Sequence, residues 1–168
     1  WVMLDSALLL DPNFALASLK RWHPDPDIRT KNRKKAYSLM NQVSPAEKHI
    51  LRSNQFGDAG NSDSALYTIQ KLVEKNPESY EAYNELGLIY GQRNELLLSE
   101  KAYKKAIELN PQNYEAYTRL CGQHIMYGFY NILPEEKRDI DKGRKYTEKL
   151  IELGFEAGRM KTGTPPRV

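Results

Sequence analysis

One short phrase occurs twice in this chain, and its repetition constrains the fold more than any other feature. Residues 76–83 have the sequence NPESYEAY, and residues 110–117, which lie 34 positions later, have the sequence NPQNYEAY. Self-similarity at a fixed period of this length is typical of stacked-repeat proteins, in which each unit buries its apolar face only against its neighbours. The sequence therefore predicts an array of helical units and favours binding over catalysis.

The clearest unit spans residues 80–113 and predicts two amphipathic helices. In its first half, large and small side chains recur at steps of three, four and seven residues, with Gly87 at the point where a neighbouring helix must come close. A second apolar stripe begins at Leu96 and ends before Pro111, because proline cannot continue a helix. One unit is thus a helix, a turn and a second helix.

This pattern resembles the tetratricopeptide repeat family, whose units have large, small, aromatic and proline residues at fixed positions. The matching residues are Tyr83, Leu86, Gly87, Tyr90, Ser99, Tyr103, Ala106 and Pro111. The resemblance implies an all-α solenoid of antiparallel helix pairs that winds into a right-handed superhelix.

The same register predicts further units on both sides. A capping box at Ser44 and Glu47, with Pro45 at the first helical position, predicts that a helix begins there. In the last unit a longer loop around residues 131–137 is expected to delay the second helix until Ile140 to Leu153. The predicted organisation is a partial unit at 1–12, units at about 14–43, 44–79, 80–113 and 114–153, and an irregular tail at 154–168.

Composition narrows the function classes. The 25 basic and 22 acidic residues are interspersed, so nucleic acid is not an expected partner. No apolar stretch approaches the length of a membrane span. One cysteine excludes an internal disulfide, which is compatible with reducing and oxidising compartments alike, and we expect a cytoplasmic location. The natural N-terminus is expected to lie upstream of Trp1, and the oligomeric state stays open.

Residues that could carry chemistry are few. His23, His49 and His124 are far apart in sequence and none has a second ligand at metal-binding spacing, so no metal site is predicted. Cys121 falls on a small position of a closely packed helix, which favours a packing role over nucleophilic catalysis. We predict no catalytic residue and no cofactor.

Binding residues are predicted from the resemblance, which implies that the first helix of each pair lines a concave groove. The candidate peptide-binding residues are Asn54, Glu81, Asn84, Glu85, Leu88, Glu115, Thr118, Arg119, Ile125 and Met126. Tyr127 and Tyr130, beside the expected loop, are further candidates for recognition. The alternative for all of them is a solvated surface.

Chaperone-binding members of the family hold the carboxylates of an acidic C-terminal peptide between lysine, asparagine and arginine side chains. Asn54 and Arg119 could serve in such a clamp, but Ile50, Glu85 and Glu115 stand where lysine, asparagine and lysine would be. Because like charges repel, we predict that this chain does not bind an acidic C-terminal peptide.

The end of the chain resembles a different family, the FAD-dependent enzymes that install carboxymethylaminomethyl groups on the wobble uridine of tRNA. The residues of that motif are Arg159, Lys161, Thr162, Gly163, Thr164, Pro165, Pro166 and Arg167. The resemblance covers only residues 153–168, and the chain contains no G-x-G-x-x-G flavin fingerprint. We therefore predict no bound flavin and no activity of this kind.

Three functions remain open for this chain. The leading one is a non-catalytic scaffold that binds a protein or peptide in the concave groove. A second is the sensor or assembly arm of a larger bacterial signalling protein, because DPNFALA at 11–17 and SPAEKHIL at 44–51 resemble arrays attached to such proteins. The third is a fragment linked to the tRNA-modifying enzyme.

Overall fold

The computed structural model describes residues 7–11, 13–20, 23–125, 136 and 139–162, and for residues 155–162 it describes the backbone alone. Within these ranges the chain forms helices and no strands, as predicted. It divides into two compact units, Trp1–Lys75 and Asn76–Val168.

The first unit begins with a helical stretch at 7–10 and continues with α1 (Ala15–Lys20), α2 (Pro26–Ser38), α3 (Pro45–Asp58) and α4 (Ser62–Lys75). The second contains α5 (Tyr80–Gln92), α6 (Leu96–Leu109), α7 (Tyr114–Ile125) and α8 (Ile140–Thr162). Neighbouring helices pack as pairs, α1 with α2 and α3 with α4 in the first unit, α5 with α6 and α7 with α8 in the second.

Local signals set the helix boundaries. The Ser44 hydroxyl accepts a hydrogen bond from the Glu47 amide at 3.3 Å, and the Glu47 carboxylate accepts one from the Ser44 amide at 3.1 Å. This is the predicted capping box, and α3 begins at Pro45 directly after it. Gly60 has a φ of 75° in the turn that joins α3 to α4, a conformation that glycine adopts without steric cost.

A close crossing holds α5 against α6. A β-carbon added at Gly87 would lie 2.8 Å from the Tyr103 ring, so only glycine allows this approach. The Ser99 hydroxyl donates to the Gly87 carbonyl at 2.7 Å across the same crossing. Gly87 is therefore the point of helix contact that the repeat pattern predicts.

The first unit has an equivalent hydrogen bond at its own helix crossing, but there the donor hydroxyl is on the first helix of the pair. Ser53 and Ala65 lie 34 positions before Gly87 and Ser99. The Ser53 hydroxyl on α3 donates to the Ala65 carbonyl on α4 at 2.9 Å. One buried hydroxyl thus bonds one backbone carbonyl at both crossings, although it comes from the first helix in one pair and from the second helix in the other.

The core of the second unit is built from the repeat positions. Tyr103, Ala106, Ala116 and Leu120 are buried together, and Tyr83 and Tyr146 pack at their edge. Aromatic side chains with a large apolar body and a polar tip suit this half-buried place between helices.

The end of the array differs from the prediction. The last helix begins at Ile140 as expected, but it continues past Leu153 to Thr162, so the tail is not irregular from residue 154. Glycine inside a helix costs only about 1 kcal/mol relative to alanine, which one or two glycines do not make prohibitive. The first prolines after α8, Pro165 and Pro166, come beyond Thr162. The tail residues 163–168 and most of the expected loop at 131–137 lie outside the described residues.

Candidate binding face of the second unit

Helix geometry brings the predicted groove residues of the second unit onto single faces. Counted from the first residue of each set, the others lie three, four and seven positions later on α5 and three, four and ten positions later on α7, offsets that keep side chains on one side of a helix. The α5 set is Glu81, Asn84, Glu85 and Leu88, and the α7 set is Glu115, Thr118, Arg119 and Ile125.

Asn84 is not available to a ligand, which corrects the sequence prediction. It is 3% exposed and forms a reciprocal amide pair with Asn113. Asn84 donates to the Asn113 side-chain oxygen at 3.2 Å and accepts from the Asn113 side-chain nitrogen at 2.9 Å. The same Asn113 oxygen caps α7 by accepting from the Ala116 amide at 3.2 Å. Asn84 therefore joins α5 to the start of α7.

Three other predicted groove residues are buried, packed against another helix or hydrogen-bonded within their own helix. Glu85 is 2% exposed and so does not present its carboxylate to solvent. The Ile125 side chain lies against α8, where a β-carbon on Gly143 would come within 2.4 Å of it. In the first unit, the Asn54 side chain donates to the Ile50 carbonyl of its own helix at 3.0 Å.

Six predicted residues on α5 and α7 keep accessible surface. One of them, Ile125, is 38% exposed but packs on Gly143 of α8, and we call the other five the binding face. Glu81 is exposed and the other four are half-buried. The binding face comprises Glu81, Leu88, Glu115, Thr118 and Arg119. It combines one apolar side chain with carboxylate, hydroxyl and guanidinium groups. Met126, Tyr127 and Tyr130 lie outside the described residues.

The opposite side of α7 carries a buried polar cluster that sequence reasoning missed. His124 is 2% exposed, and its Nε2 lies 3.7 Å from the Glu100 carboxylate of α6. Glu100 in turn lies 2.5 Å from Lys104 Nζ and 3.5 Å from Lys142 Nζ of α8. His124 lies 34 residues after Tyr90, at the aromatic position of the repeat, but Glu100, Lys104 and Lys142 occupy no consensus position. The repeat pattern therefore gives no signal that these side chains, which come from three helices, lie together.

Burial and charge shift the ionisation of the cluster in opposite directions. Burial lowers the pKa of His124 below its ordinary value, and the nearby Glu100 carboxylate offsets only part of that shift. Burial tends to raise the pKa of Glu100, but the Lys104 hydrogen bond and the positive charges around it lower the pKa overall. Burial also raises the pKa of Tyr146, beside His124, to about 12. At neutral pH the cluster therefore holds a neutral imidazole beside a carboxylate paired with lysines.

The remaining chemistry-bearing residues have structural partners. Cys121 is buried, and its sulfur lies 3.1 Å from the Thr147 hydroxyl of α8, in keeping with the predicted packing role. In the first unit, His23 accepts from the Asp25 amide at 3.1 Å. Across the described residues, no group of three or more His, Cys, Asp or Glu side chains is arranged to hold a metal ion.

Hydropathy adds one finding about membranes. In the part of the chain that the structure describes, no helix combines the length and apolar character needed to span a bilayer.

Comparison with known proteins confirms the repeat. Residues 80–113 match the tetratricopeptide repeat family. A crystal structure of MamA aligns with a TM-score of 0.59 and 20% identity, covering 93% of this chain and 87% of that one. A second crystal structure of MamA protein aligns with a TM-score of 0.56 and 20% identity, covering 98% and 85%. The fold is thus all-α and of the tetratricopeptide solenoid type.

The second predicted resemblance is confirmed as a short one. The chain is 86% identical over 22 residues to the tRNA uridine 5-carboxymethylaminomethyl modification enzyme MnmG of Cytophaga hutchinsonii, and equally to that of Christiangramia forsetii. The match covers 13% of this chain and 4% of either enzyme. The chain therefore spans a very small part of the curated relatives it matches.

Proposed function

We propose that the chain is a non-catalytic scaffold that binds a protein or peptide segment through the binding face. The observation that carries the proposal is that α5 and α7 each bury one set of residues in the fold and keep another set accessible. The consensus residues Leu86, Gly87, Leu120 and Cys121 are buried, whereas Glu81, Leu88 and Thr118 keep accessible surface. In stacked repeats such variable, accessible positions on a constant frame supply the recognition surface.

The chemistry of the binding face supports an extended polypeptide as ligand. Leu88 offers an apolar contact, while Thr118 and the charged residues offer hydrogen bonds and ion pairs. A few apolar contacts surrounded by polar groups are typical of protein interfaces. Binding is therefore the function that this combination of side chains supports best.

A comparison of interaction partners tests the proposal. A triple variant, Glu81→Lys, Leu88→Lys and Thr118→Lys, changes the binding face without touching the helix crossings. Partners captured by the full chain and cross-linked in place are identified by mass spectrometry, and the interacting segment is then synthesised. We expect the triple variant to lose at least about 90% of binding to that segment, because removing one or two interface anchors costs about 2 kcal/mol or more.

The control for this experiment is Lys101→Glu on the exposed side of α6. It changes charge on the same unit and leaves the binding face intact, so it should keep full affinity. Equal binding by the triple variant and the control would contradict the binding face and move recognition elsewhere in the chain.

Two alternative functions remain as proposals of narrower support. A sensor or assembly arm of a larger signalling protein would use the same face, and a partner domain encoded in the same reading frame would favour it. The short identity with the tRNA-modifying enzymes supports a shared segment, and it comprises only 4% of those enzymes. For the folded chain we expect no flavin absorbance after purification, and a copurifying flavin would overturn the non-catalytic proposal.

A further inference from the structure

The buried imidazole of His124 receives a hydrogen bond that depends on its protonation state. Its Nδ1 accepts from the Asp139 backbone amide at 3.2 Å. In a neutral imidazole one ring nitrogen is a donor and the other an acceptor, so this bond places the proton on Nε2. A protonated imidazole has two donors, and its Nδ1 would then oppose the Asp139 N–H. Protonation therefore removes this bond.

Asp139 is the residue on which the start of α8 depends. Its carboxylate accepts from the Lys142 amide at 2.8 Å, and its carbonyl accepts from the Gly143 amide at 2.9 Å, so it caps the first turn of α8. Gly143 in that turn is in close contact with Ile125 and His124 of α7. The His124 to Asp139 bond thus ties the cap of α8 to α7.

Charges of both signs surround the ring, and it is burial that lowers the pKa of His124 and disfavours its protonation. Among the described residues, α6 presents Glu100 and Lys104 to this region, and Asp139, Lys142 and Tyr146 face it from the cap and body of α8. The Glu100 carboxylate would attract an imidazolium, but it already pairs with Lys104 and lies near Lys142. His124 Nε2 has no hydrogen-bond partner within the described structure.

We propose that His124 is an acid-sensitive latch that holds the start of α8 on α7 and releases it when the imidazole takes up a proton. In mildly acidic solution the last helix opens locally, and the surface of α7 that it covers becomes accessible. Local opening of a terminal helix requires less free energy than global unfolding, so it is the first event expected on acidification.

The direction of the pH effect is set by linkage between protonation and opening. The folded-state pKa of His124 lies below 6.5, its value in an unfolded chain. The opened state therefore binds more protons than the closed state, and the closed state loses stability as pH falls below 6.5 and through the folded-state pKa. Above 6.5 the latch contributes its full stabilisation.

Cys121 provides a direct readout of opening. It is the single cysteine of the chain, and α8 covers it with Thr147. Its reaction with 4,4′-dithiodipyridine can be followed in mildly acidic buffers, with glutathione in the same buffers correcting for the intrinsic pH dependence of a thiol. We expect the corrected rate of the full chain to rise about fivefold or more between about pH 7.5 and about pH 5, the change that loss of one hydrogen bond of about 1 kcal/mol produces.

A variant whose side chain accepts the Asp139 hydrogen bond but takes up no proton tests whether protonation of His124 causes the opening. In His124→Asn the amide oxygen takes the place of Nδ1 and accepts from Asp139, but it gains no proton in this range. Its corrected rate should stay constant with pH. The matched control, His49→Asn, changes a histidine of the first unit whose Nδ1 lies 2.7 Å from the Pro45 carbonyl, and it should keep the rise of the unaltered chain. A flat rate in the unaltered chain, or an equal rise in His124→Asn, would overturn the proposal.

A second measurement covers the case in which His124→Asn does not fold. In the unaltered chain, NMR follows the His124 ring and the amides of Asp139 and Lys142 through the same titration. The latch requires these amides to lose their protection from solvent exchange with the midpoint of the His124 ring. Amides that stay protected after the ring has titrated would contradict it.

Discussion

At the scale of single residues, the repeat position at each helix crossing holds a small side chain, which lets the two helices approach closely. Ser53, Gly87 and Cys121 are spaced by 34 residues and hold three different small side chains. Each lies where the first helix of a pair meets the second, and each has a contact there with the partner helix. Small size is common to these three crossings. A buried hydroxyl donates to a carbonyl of the partner helix at the first two, from either helix of the pair, and the third has a sulfur-to-hydroxyl contact instead.

The close helix crossing at Gly87 predicts that replacing this glycine by alanine lowers the free energy of unfolding. In Gly87→Ala the new β-carbon would lie 2.8 Å from the Tyr103 ring, so the helices must separate. We expect destabilisation of about 1–3 kcal/mol, as for other overpacked sites, measured by urea unfolding.

Gly154→Ala is the matched control for Gly87→Ala. Gly154 is also helical, and among the residues that the structure describes no atom lies within 4 Å of a β-carbon built there. Its replacement should stabilise by about 0.5–1 kcal/mol through helix propensity alone. Equal effects of the two substitutions would show that the Tyr103 contact is not rigid.

Removal of the Ser53 hydroxyl and of the Ser99 hydroxyl should lower the free energy of unfolding by different amounts. The Ser99 hydroxyl donates to the Gly87 carbonyl and also accepts from the Gln123 side chain at 2.7 Å, whereas the Ser53 hydroxyl makes the equivalent donation to Ala65. Ser53→Ala should cost about 1 kcal/mol, and Ser99→Ala about 2–3 kcal/mol, because it also leaves a buried amide without its acceptor. Urea unfolding of the two variants measures the difference, and a larger loss for Ser53→Ala would contradict this assignment.

At the scale of helices, short-range signals set where a helix begins, and the surrounding structure sets how far it continues. The capping box at Ser44 begins α3, and Asn113 begins α7 with a bond that also reaches Asn84 of α5. Both caps are local, since Ser44 accepts from the Glu47 amide and Asn113 from the Ala116 amide, and both starts follow from the sequence. The additional bond from Asn113 to Asn84 does not, because it joins residues 29 positions apart. The predicted end of α8 is wrong, because a single glycine lowers helix propensity by about 1 kcal/mol without ending a helix.

The local cap predicts a local effect. In Ser44→Ala the Glu47 amide loses its acceptor, and we expect a loss of about 1 kcal/mol in the stability of the first unit. Hydrogen exchange measured by mass spectrometry should show the faster exchange in the first turns of α3. The control Ser38→Ala removes a hydroxyl that donates to the Lys35 carbonyl at the exposed end of α2, and it should leave α3 unchanged.

At the scale of the whole molecule, the chain keeps a constant frame and places its variation on the first helices. In the second unit the consensus residues Leu86, Gly87, Leu120 and Cys121 are buried. We propose the accessible residues Glu81, Leu88, Glu115, Thr118 and Arg119 as the surface for recognition. We predict that the carboxylates of Glu81 and Glu115 disfavour acidic ligands, since Glu81 is exposed and Glu115 is half-buried.

This surface predicts the absence of one family activity. An acidic C-terminal peptide, titrated into the chain by isothermal calorimetry, should bind with a dissociation constant weaker than about 1 mM, because carboxylates face one another. The same peptide with its acidic residues amidated serves as the control. Micromolar affinity for the acidic form would contradict the charge argument.

The sequence alone determined the helix pairs, the close crossing at Gly87 and the start of α3, because each depends on spacing or on contacts within a few residues. Only the tertiary structure decided that Asn84 is hydrogen-bonded to Asn113 in the interior and that Ile125 packs on Gly143. It also decided that His124 lies between Glu100 and Asp139. These contacts join residues of different helices that are far apart in sequence. No periodicity can report them, because they exist only once the helices have packed.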